Sequence, residues 1–329
     1  MKALVTGCAG LIGSHLVDNL IDLNYDVVGV DDLSFGSMNN LVLSQKSKNF
    51  HFEKLDVKNI SKLLNENRKF DIVYHLASMK KPTEGIVKSS KVIDDNYIMT
   101  REIVEFSKSI NAFLIFTSTS DVYGNSKNFS ESEKITIGPP TNERYSYAMS
   151  KLISEQYIFN EINQSNLKSC VIRVFGCTSE RAKLSWSAGH IPIFISNAIN
   201  NREITIHGDG SQTRSISSAK DISLGLSKIS KNMDILNNQI LNLGTDEQTS
   251  VKEIAEYIVK KVSSSSKIKY IPRQDVFGDY EEIVKRFANI EKAKRLINFK
   301  ITKSTYEVID SMIIDFSNKD SIYSAISND

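Results

Sequence analysis

Apolar runs of strand length alternate along this chain with stretches whose apolar residues recur every three or four positions. Residues 3–6, 26–30, 50–55, 71–76, 113–117 and 169–174 are short runs rich in Val, Ile, Leu and Phe, the pattern of strands buried on both faces. Between them, residues 11–23, 60–67, 89–109 and 144–163 carry the helical period. Strands separated by helices predict a parallel sheet with helices on both faces, and such sheets take their ligands at the carboxyl ends of the strands.

Beyond Val174 the pattern loosens. Gly176, Gly189, Pro192, Gly208 and Gly210 break up residues 175–212, leaving one helix near 192–200 and a strand at 203–207. A strand at 240–243, a helix at 251–262, a strand at 267–271 and helices after Asn289 and Ser304 follow. We therefore expect a larger domain over 1–174 and a smaller mixed α/β domain over most of 175–329. The two interleave, with a segment at about 213–245 returning to the first. The polar tail from Ser317 is expected to fray.

The 329 residues include 41 basic and 39 acidic side chains for a net charge of +2, and the lysines are scattered. That balance argues against nucleic acid or an anionic membrane as partner. No run of eighteen apolar residues occurs, and the amino terminus passes directly into a strand. Neither a membrane span nor a signal peptide is expected, and the cytoplasm is the expected location. Cys8, Cys170 and Cys177 have the spacing of neither a disulfide framework nor a zinc site; we read them as free thiols and expect no metal.

Two stretches carry chemistry. Gly7-Cys8-Ala9-Gly10-Leu11-Ile12-Gly13 falls directly after the first strand and opens the first helix. Glycines there permit a tight turn and let the backbone approach a pyrophosphate, which the helix amino end attracts. Asp31 closes the second strand, where a carboxylate accepts hydrogen bonds from a ribose diol and repels a 2′-phosphate, so NAD is expected rather than NADP. Asp32 is read as a solvated loop acid or as a sharer of this contact. In the second stretch, Arg144 to Lys151, Tyr147 and Lys151 stand four residues apart on one helix face. A neighbouring ammonium favours a phenolate, which makes the pair a proton acceptor near neutrality.

With Thr117-Ser118-Thr119-Ser120-Asp121-Val122-Tyr123-Gly124 between these two motifs, most of the chain resembles the extended short-chain dehydrogenase/reductases, in particular the nucleotide-sugar epimerase/dehydratase family. The resemblance implies a Rossmann-type doubly wound parallel sheet, bound NAD and a nucleotide-diphosphate sugar as substrate. It implies adenine contacts from Asp56 and Val57, and a cofactor wall from His75, Leu76, Ala77 and Ser78. For Asp56 and His75 a capping or core role stands equally open. Lys80 matches a pyrophosphate-holding lysine, Thr119 and Ser120 match the sugar side, and Arg214 in Gly208-Asp209-Gly210-Ser211-Gln212-Thr213-Arg214 matches a partner of the substrate diphosphate. Arg286, after Asp279-Tyr280-Glu281-Glu282, is a second candidate for that role.

Gly176 and Cys177 stand where the family usually has an Asn that touches the diphosphate, and Ser217-Ser218-Ala219-Lys220-Asp221 lacks the common Tyr-Val. The resemblance implies a shared chemistry in which Tyr147 takes the proton of a C4 hydroxyl, Lys151 lowers the phenol's pKa and holds the nicotinamide ribose, and Thr119 orients the hydroxyl. A 4-keto sugar then epimerises, loses water or, from a uronate, loses carbon dioxide. Asp121 bears on that choice: epimerases of the family usually carry a small or hydroxylated residue there, decarboxylases and several dehydratases a glutamate. A loop-capping role for Asp121 stays open. An NDP-sugar 4-epimerase stands first, a UDP-glucuronate-type decarboxylase or 4,6-dehydratase next, and a non-catalytic NAD-binding protein last. The helix around Ile93, Ile98 and Val104 and the helix with Met149, Ile153 and Phe159 both carry more apolar positions than one sheet-facing stripe needs, which further predicts a homodimer through a four-helix bundle; packing of that surplus against the loops between Ser34 and Ser47 of the same chain stays open.

Overall fold

The computed structural model describes residues 1–66, 69–79, 89–126, 128–185, 189–272, 274–277 and 286–326. Lys80 and the segment 279–282 lie outside the described residues. The chain divides into two compact units. The first comprises Met1–Val174, Ala219–Leu243 and Asn289–Lys300; the second comprises Phe175–Ser218, Gly244–Ala288 and Ile301–Asp329.

In the first unit six strands appear in chain order: β1 (Lys2–Thr6), β2 (Asp26–Asp31), β3 (Phe50–Lys54), β4 (Ile72–His75), β5 (Phe113–Thr119) and β6 (Ser169–Val174). The strand Gln239–Leu243 completes a seven-stranded sheet beyond β6, and every pairing is parallel. From β1 the chain builds outward to β2 and β3, then returns to lay β4, β5 and β6 on the other side. The direction reverses between β1 and β4. Right-handed crossovers therefore send the intervening helices to opposite faces of the sheet. Helix α1 (Leu11–Asp22) packs with the helix Ala219–Ile229, and α2 (Ser89–Ser109) packs with α3 (Ser146–Ser165).

The core beneath α2 and α3 joins Leu4, Val73, Leu114 and Phe116 of the sheet to Ile103, Val104 and Ile158 of the helices. A polar seam fastens the two helices together inside this apolar layer. Asn96 Nδ2 donates to Ser150 Oγ at 2.9 Å, and the hydroxyls of Thr100 and Ser154 meet at 2.9 Å one turn later. Both pairs are spaced by four, so they repeat on facing stripes.

Three local differences from the sequence pattern have physical causes. β5 runs to Thr119 rather than ending at 117, because Ser118 and Thr119 pair with Arg173 and Val174 of β6. The helix expected at 60–67 begins earlier, as the 3₁₀ segment Val57–Glu66 kinked at Asn59. The tail from Ser317, expected to fray, continues the helix Thr305–Ile326, a span with neither Gly nor Pro to stop it.

The second unit contains a parallel pair, Ile204–His207 with Ile268–Ile271, and the helices His190–Ile199, Val251–Lys261 and Thr305–Ile326 in mutual contact. Ser250 and Glu253 form a reciprocal cap at the start of Val251–Lys261. No helix among the described residues is long and apolar enough to cross a membrane.

Candidate active site

The reversal between β1 and β4 requires two loops to touch, and glycine makes that contact possible. Gly7 has φ +70°, and a Cβ there would stand 2.7 Å from the backbone nitrogen of Ala77 in the loop after β4. A Cβ on Gly13 would meet the Gly7 carbonyl oxygen at 2.1 Å, so the first turn of α1 rests directly on the loop. Gly10 N donates back to Gly7 O at 3.1 Å, closing the turn. The N–H groups of Leu11, Ile12 and Gly13 in that first turn have no acceptor inside the helix.

A cleft open to solvent lies over this corner and is lined by Gly7, Gly10, Asp31, Asp32, Asp56, Val57, Leu76, Ala77 and Ser78. Asp31, at the end of β2, is buried. One of its oxygens accepts from Ala9 N at 3.0 Å, the other from Leu33 N at 2.8 Å. Burial raises its pKa above the ordinary aspartate value; the two N–H donors work against that rise, and the charge of Asp32 adds to it. Asp32 is exposed, and its Oδ1 takes both the amide and the hydroxyl of Ser34, at 2.9 and 2.6 Å. It caps its own loop. Asp56 Oδ1 accepts from Lys58 N at 2.9 Å and likewise caps the segment that follows it, while Val57 belongs to the core.

His75 has a structural post. Its Nδ1 meets Thr6 Oγ1 at 2.8 Å, and its pKa falls to about 3 through burial and, secondarily, the charge of Lys151. The ring is neutral at physiological pH and ties the end of β4 to that of β1. Asn96, which the sequence reading missed, organises the next residues: its Oδ1 accepts from Met79 N at 2.7 Å and from Ser78 Oγ at 3.2 Å, while its Nδ2 donates to Met79 O at 2.9 Å. The buried side of α2 also carries Asp95, Thr100 and Ser107, so the sequence held no signal that singles out Asn96.

On the other side of the corner, Tyr147 and Lys151 lie one turn apart on α3, which packs against β5 and the 3₁₀ turn Ser120–Tyr123. Tyr147 is half-buried. Lys151 is 2% exposed; its Nζ donates to Thr117 O at 2.9 Å and stands 4.6 Å from the centre of the Phe116 ring. Burial lowers its pKa to about 7, against the opposing charge of Glu155. Thr119 ends β5 and accepts the amide of Asp121 at 3.1 Å. That cap uses a lone pair and leaves the hydroxyl proton available to donate. Ser120 is buried within the turn, and Asp121 is half-buried on it.

Arg214 and Arg286 both belong to the second unit. Arg214 sits in the short strand Thr213–Arg214, which pairs antiparallel with Thr249–Ser250, and its Nη1 donates to Thr213 O at 2.8 Å. Arg286 is half-buried. Gly176 is held where a Cβ would stand 2.5 Å from Ser215 O, so the departure from Asn at this position is matched by a closely approaching backbone.

A glycine corner at the reversal of a parallel sheet, with a desolvated carboxylate closing β2, defines an α/β fold built for a dinucleotide without a 2′-phosphate. Those features fit NAD. Residues 3–244 match the model of the NAD dependent epimerase/dehydratase family, and the chain belongs to that family. It is 32% identical over 301 residues to the UDP-N-acetyl-alpha-D-glucosaminuronate decarboxylase of Bacillus cytotoxicus, covering 91% of this chain and 92% of that protein. It is 30% identical over 301 residues to the putative UDP-glucose 4-epimerase of Methanocaldococcus jannaschii, covering 89% and 91%. The UDP-glucuronic acid 4-epimerase of Bacillus cereus, solved with UDP-glucuronic acid and NAD, matches with a TM-score of 0.85 at 26% identity over 97% of this chain and 99% of that one. NAD is the cofactor, and the protein is an NAD-dependent enzyme of this family.

Proposed function

We propose that the protein acts on a UDP-linked uronic acid, oxidising it transiently at C4 and releasing its carboxylate as carbon dioxide. The observation that carries this reading is Asp121, a carboxylate two residues past Thr119 on the turn that ends β5. The decarboxylase from Bacillus cytotoxicus supports it, and for that reason we place it ahead of the 4-epimerase expected from the sequence.

NAD, when bound, takes the C4 hydride and returns it. In this reading the amino end of α1 at Leu11, Ile12 and Gly13, with Gly7 and Gly10, receives the pyrophosphate. Asp31 accepts the ribose hydroxyls, and Asp56, Val57, Leu76, Ala77 and Ser78 form the wall. Tyr147 as phenolate takes the C4 hydroxyl proton, Lys151 stabilises that phenolate, and Thr119 donates to the C4 oxygen. The resulting 4-keto uronate is a β-keto acid. Its carboxylate leaves as carbon dioxide, and the electron pair left on C5 takes a proton that originates in solvent and is relayed through Asp121. Arg214 and Arg286 are assigned to phosphate oxygens, which suit a planar guanidinium.

A second reading, C4 epimerisation of the same substrate, is supported by the Bacillus cereus neighbour and by the shorter reach of an aspartate in a position where decarboxylases usually carry glutamate. Incubation with UDP-glucuronate and UDP-N-acetylglucosaminuronate, followed by mass spectrometry and NMR, separates the two. The expected product has lost carbon dioxide. A product of unchanged mass and inverted C4 assigns the epimerase instead, and loss of water contradicts both. Tyr147→Phe should lower turnover by roughly 10²-fold or more while NAD stays bound; retention of a tenth of the wild-type rate would remove Tyr147 as the base.

Asp31→Ala should weaken NAD by about tenfold and relax discrimination against NADP, since hydrogen bonds to a charged partner contribute about 1.5–3 kcal/mol. Calorimetric titration with both dinucleotides measures this, and an unchanged preference would show that another group reads the ribose.

The homodimer through α2 and α3 is part of the same proposal. Ile153 on α3 is 40% exposed, and Ile93, Ile98 and Phe159 are half-buried on these helices. Sedimentation at micromolar concentration should give about twice the 37.0 kDa chain mass, reduced to the monomer by Ile98→Glu. A monomeric wild type contradicts it.

A further inference from the structure

Beneath the Tyr147–Lys151 pair lies a buried ionic assembly that neither the proposed proton transfers nor the NAD cleft uses. Glu155 is one turn beyond Lys151 on α3, so Tyr147, Lys151 and Glu155 descend one helix face at intervals of four. Both Glu155 and Arg173 of β6 are 3% exposed. Arg173 grips the carboxylate with two donors: Nε to Oε1 at 3.1 Å and Nη2 to Oε2 at 2.7 Å. Ser118 Oγ of β5 donates to the same Oε1 at 2.5 Å. The far side of the arginine lies over the Tyr123 ring, 4.7 Å from its centre, and Tyr123 Oη donates to Asn242 Oδ1 at 2.8 Å.

Such an assembly is costly to bury, and a well-packed apolar pair of equal volume is often as stable. Its placement suggests what it does. Ser118 immediately precedes Thr119, so the carboxylate is fastened to the strand end that presents the Thr119 hydroxyl. Lys151, one turn away, is deep in the protein with a carbonyl and an aromatic face as its recorded contacts. The Thr117 carbonyl and the Phe116 face each favour the ammonium over the amine, and Glu155 adds a full negative charge on the same helix face.

We propose that Glu155, clamped by Arg173 and Ser118, is a positioning residue for the Tyr147–Lys151 pair: it holds Lys151 in its charged form and fixes the strand end that carries Thr119. This rests on the reading of Tyr147 and Lys151 as the reacting pair, not on the fate of the 4-keto sugar. The other titratable groups around the pair leave Glu155 as the source of the negative field. His75 at the end of β4 is neutral. Tyr123 on the turn has its phenol pushed up by burial and stays neutral. Arg173 is cationic and opposes the ammonium, and Asp121 lies on the exposed side of the turn, half-buried. From α2 come Asn96 and Thr100, which do not titrate.

The sign of the effect follows. Catalysis needs the ammonium, so activity is lost as pH rises through the Lys151 pKa, and removal of Glu155 moves that loss to lower pH. Two readouts on the NAD-loaded protein test this: the alkaline limb of kcat/KM, and the titration of the Lys151 ε-carbon followed by NMR in protein with ¹³C-labelled lysine, assigned by its absence in Lys151→Arg. Glu155→Gln should lower both midpoints by about one pH unit or more. Midpoints unchanged in Glu155→Gln, whatever happens to kcat, overturn the proposal, because a merely structural role would move rate and stability without moving the titration.

Glu155→Gln leaves Arg173 buried without its counter-charge. If it does not fold, Glu155→Gln combined with Arg173→Met is the second variant; because it also removes the cation that opposes the ammonium, a smaller fall of the Lys151 midpoint is expected, and a midpoint that stays or rises overturns the proposal. Ser118→Ala keeps the charge and removes the tether; kcat should fall several-fold with the Lys151 midpoint in place, and an unchanged kcat overturns the strand-end half. Were Tyr147→Phe fully active, the reading of the reacting pair would fail while the NMR titration still measured the effect of Glu155.

Discussion

The ammonium of Lys151 is a costly group to bury, and several elements of the first unit converge on it. Bringing its pKa from the ordinary lysine value to about 7 corresponds to a penalty of order 5 kcal/mol on the charged form. The protein tolerates that penalty only because several elements meet at one point. β5 supplies the Thr117 carbonyl and the Phe116 ring, α3 supplies the lysine and Glu155, and β6 supplies the arginine that holds the glutamate in place. The polar seam of Asn96, Ser150, Thr100 and Ser154 fastens α2 to α3, so the helix that bears Tyr147 is held along its buried side as well as at the strand end. A small motion of α3 would separate the cation from the Thr117 carbonyl and the Phe116 ring.

The same seam reaches the cofactor side. Asn96 holds Ser78 and Met79, whose loop touches Gly7 through the Ala77 backbone, and Gly7 in turn carries Gly13 and the start of α1. Glycine at 7 and 13 is a packing requirement before it is a binding motif: both positions are filled by neighbouring backbone. The loop receives the pyrophosphate in our proposal because the packing that demands glycine also leaves the N–H groups of the first helical turn facing outward. Asp31 closes the arrangement from β2 with both oxygens already hydrogen-bonded.

Much of this was legible in the chain because the strands are buried on both faces and therefore apolar throughout, and because Gly7, Asp31, Thr119, Tyr147 and Lys151 stand at fixed offsets from element ends. The parts that were not legible depend on pairings between distant residues. Glu155 and Arg173 look in sequence like an ordinary helix acid and a strand arginine, and only the parallel register of β5 with β6 brings Arg173 beside Ser118. Asn96 is one of several polar residues on the buried side of α2, and only its bonds to the loop after β4 distinguish it. Asp32 and Asp56 were readable as acids near the cofactor, but their capping bonds to Ser34 and Lys58 appear only once the loop geometry is known. The return of Asn289–Lys300 to the first unit also escaped the pattern, since nothing in a short helix identifies which core it joins; Phe299 does so by filling the space that Gly225 leaves.

Ultraviolet difference titration of the NAD-loaded protein reads whether the buried ammonium makes Tyr147 a base at physiological pH. The wild-type spectrum minus that of Tyr147→Phe isolates a single phenol. A tyrosinate should form near neutrality, about three units below an ordinary tyrosine. No tyrosinate signal below about pH 9 would contradict it, since Tyr147 would then be a proton donor at the pH where the enzyme works.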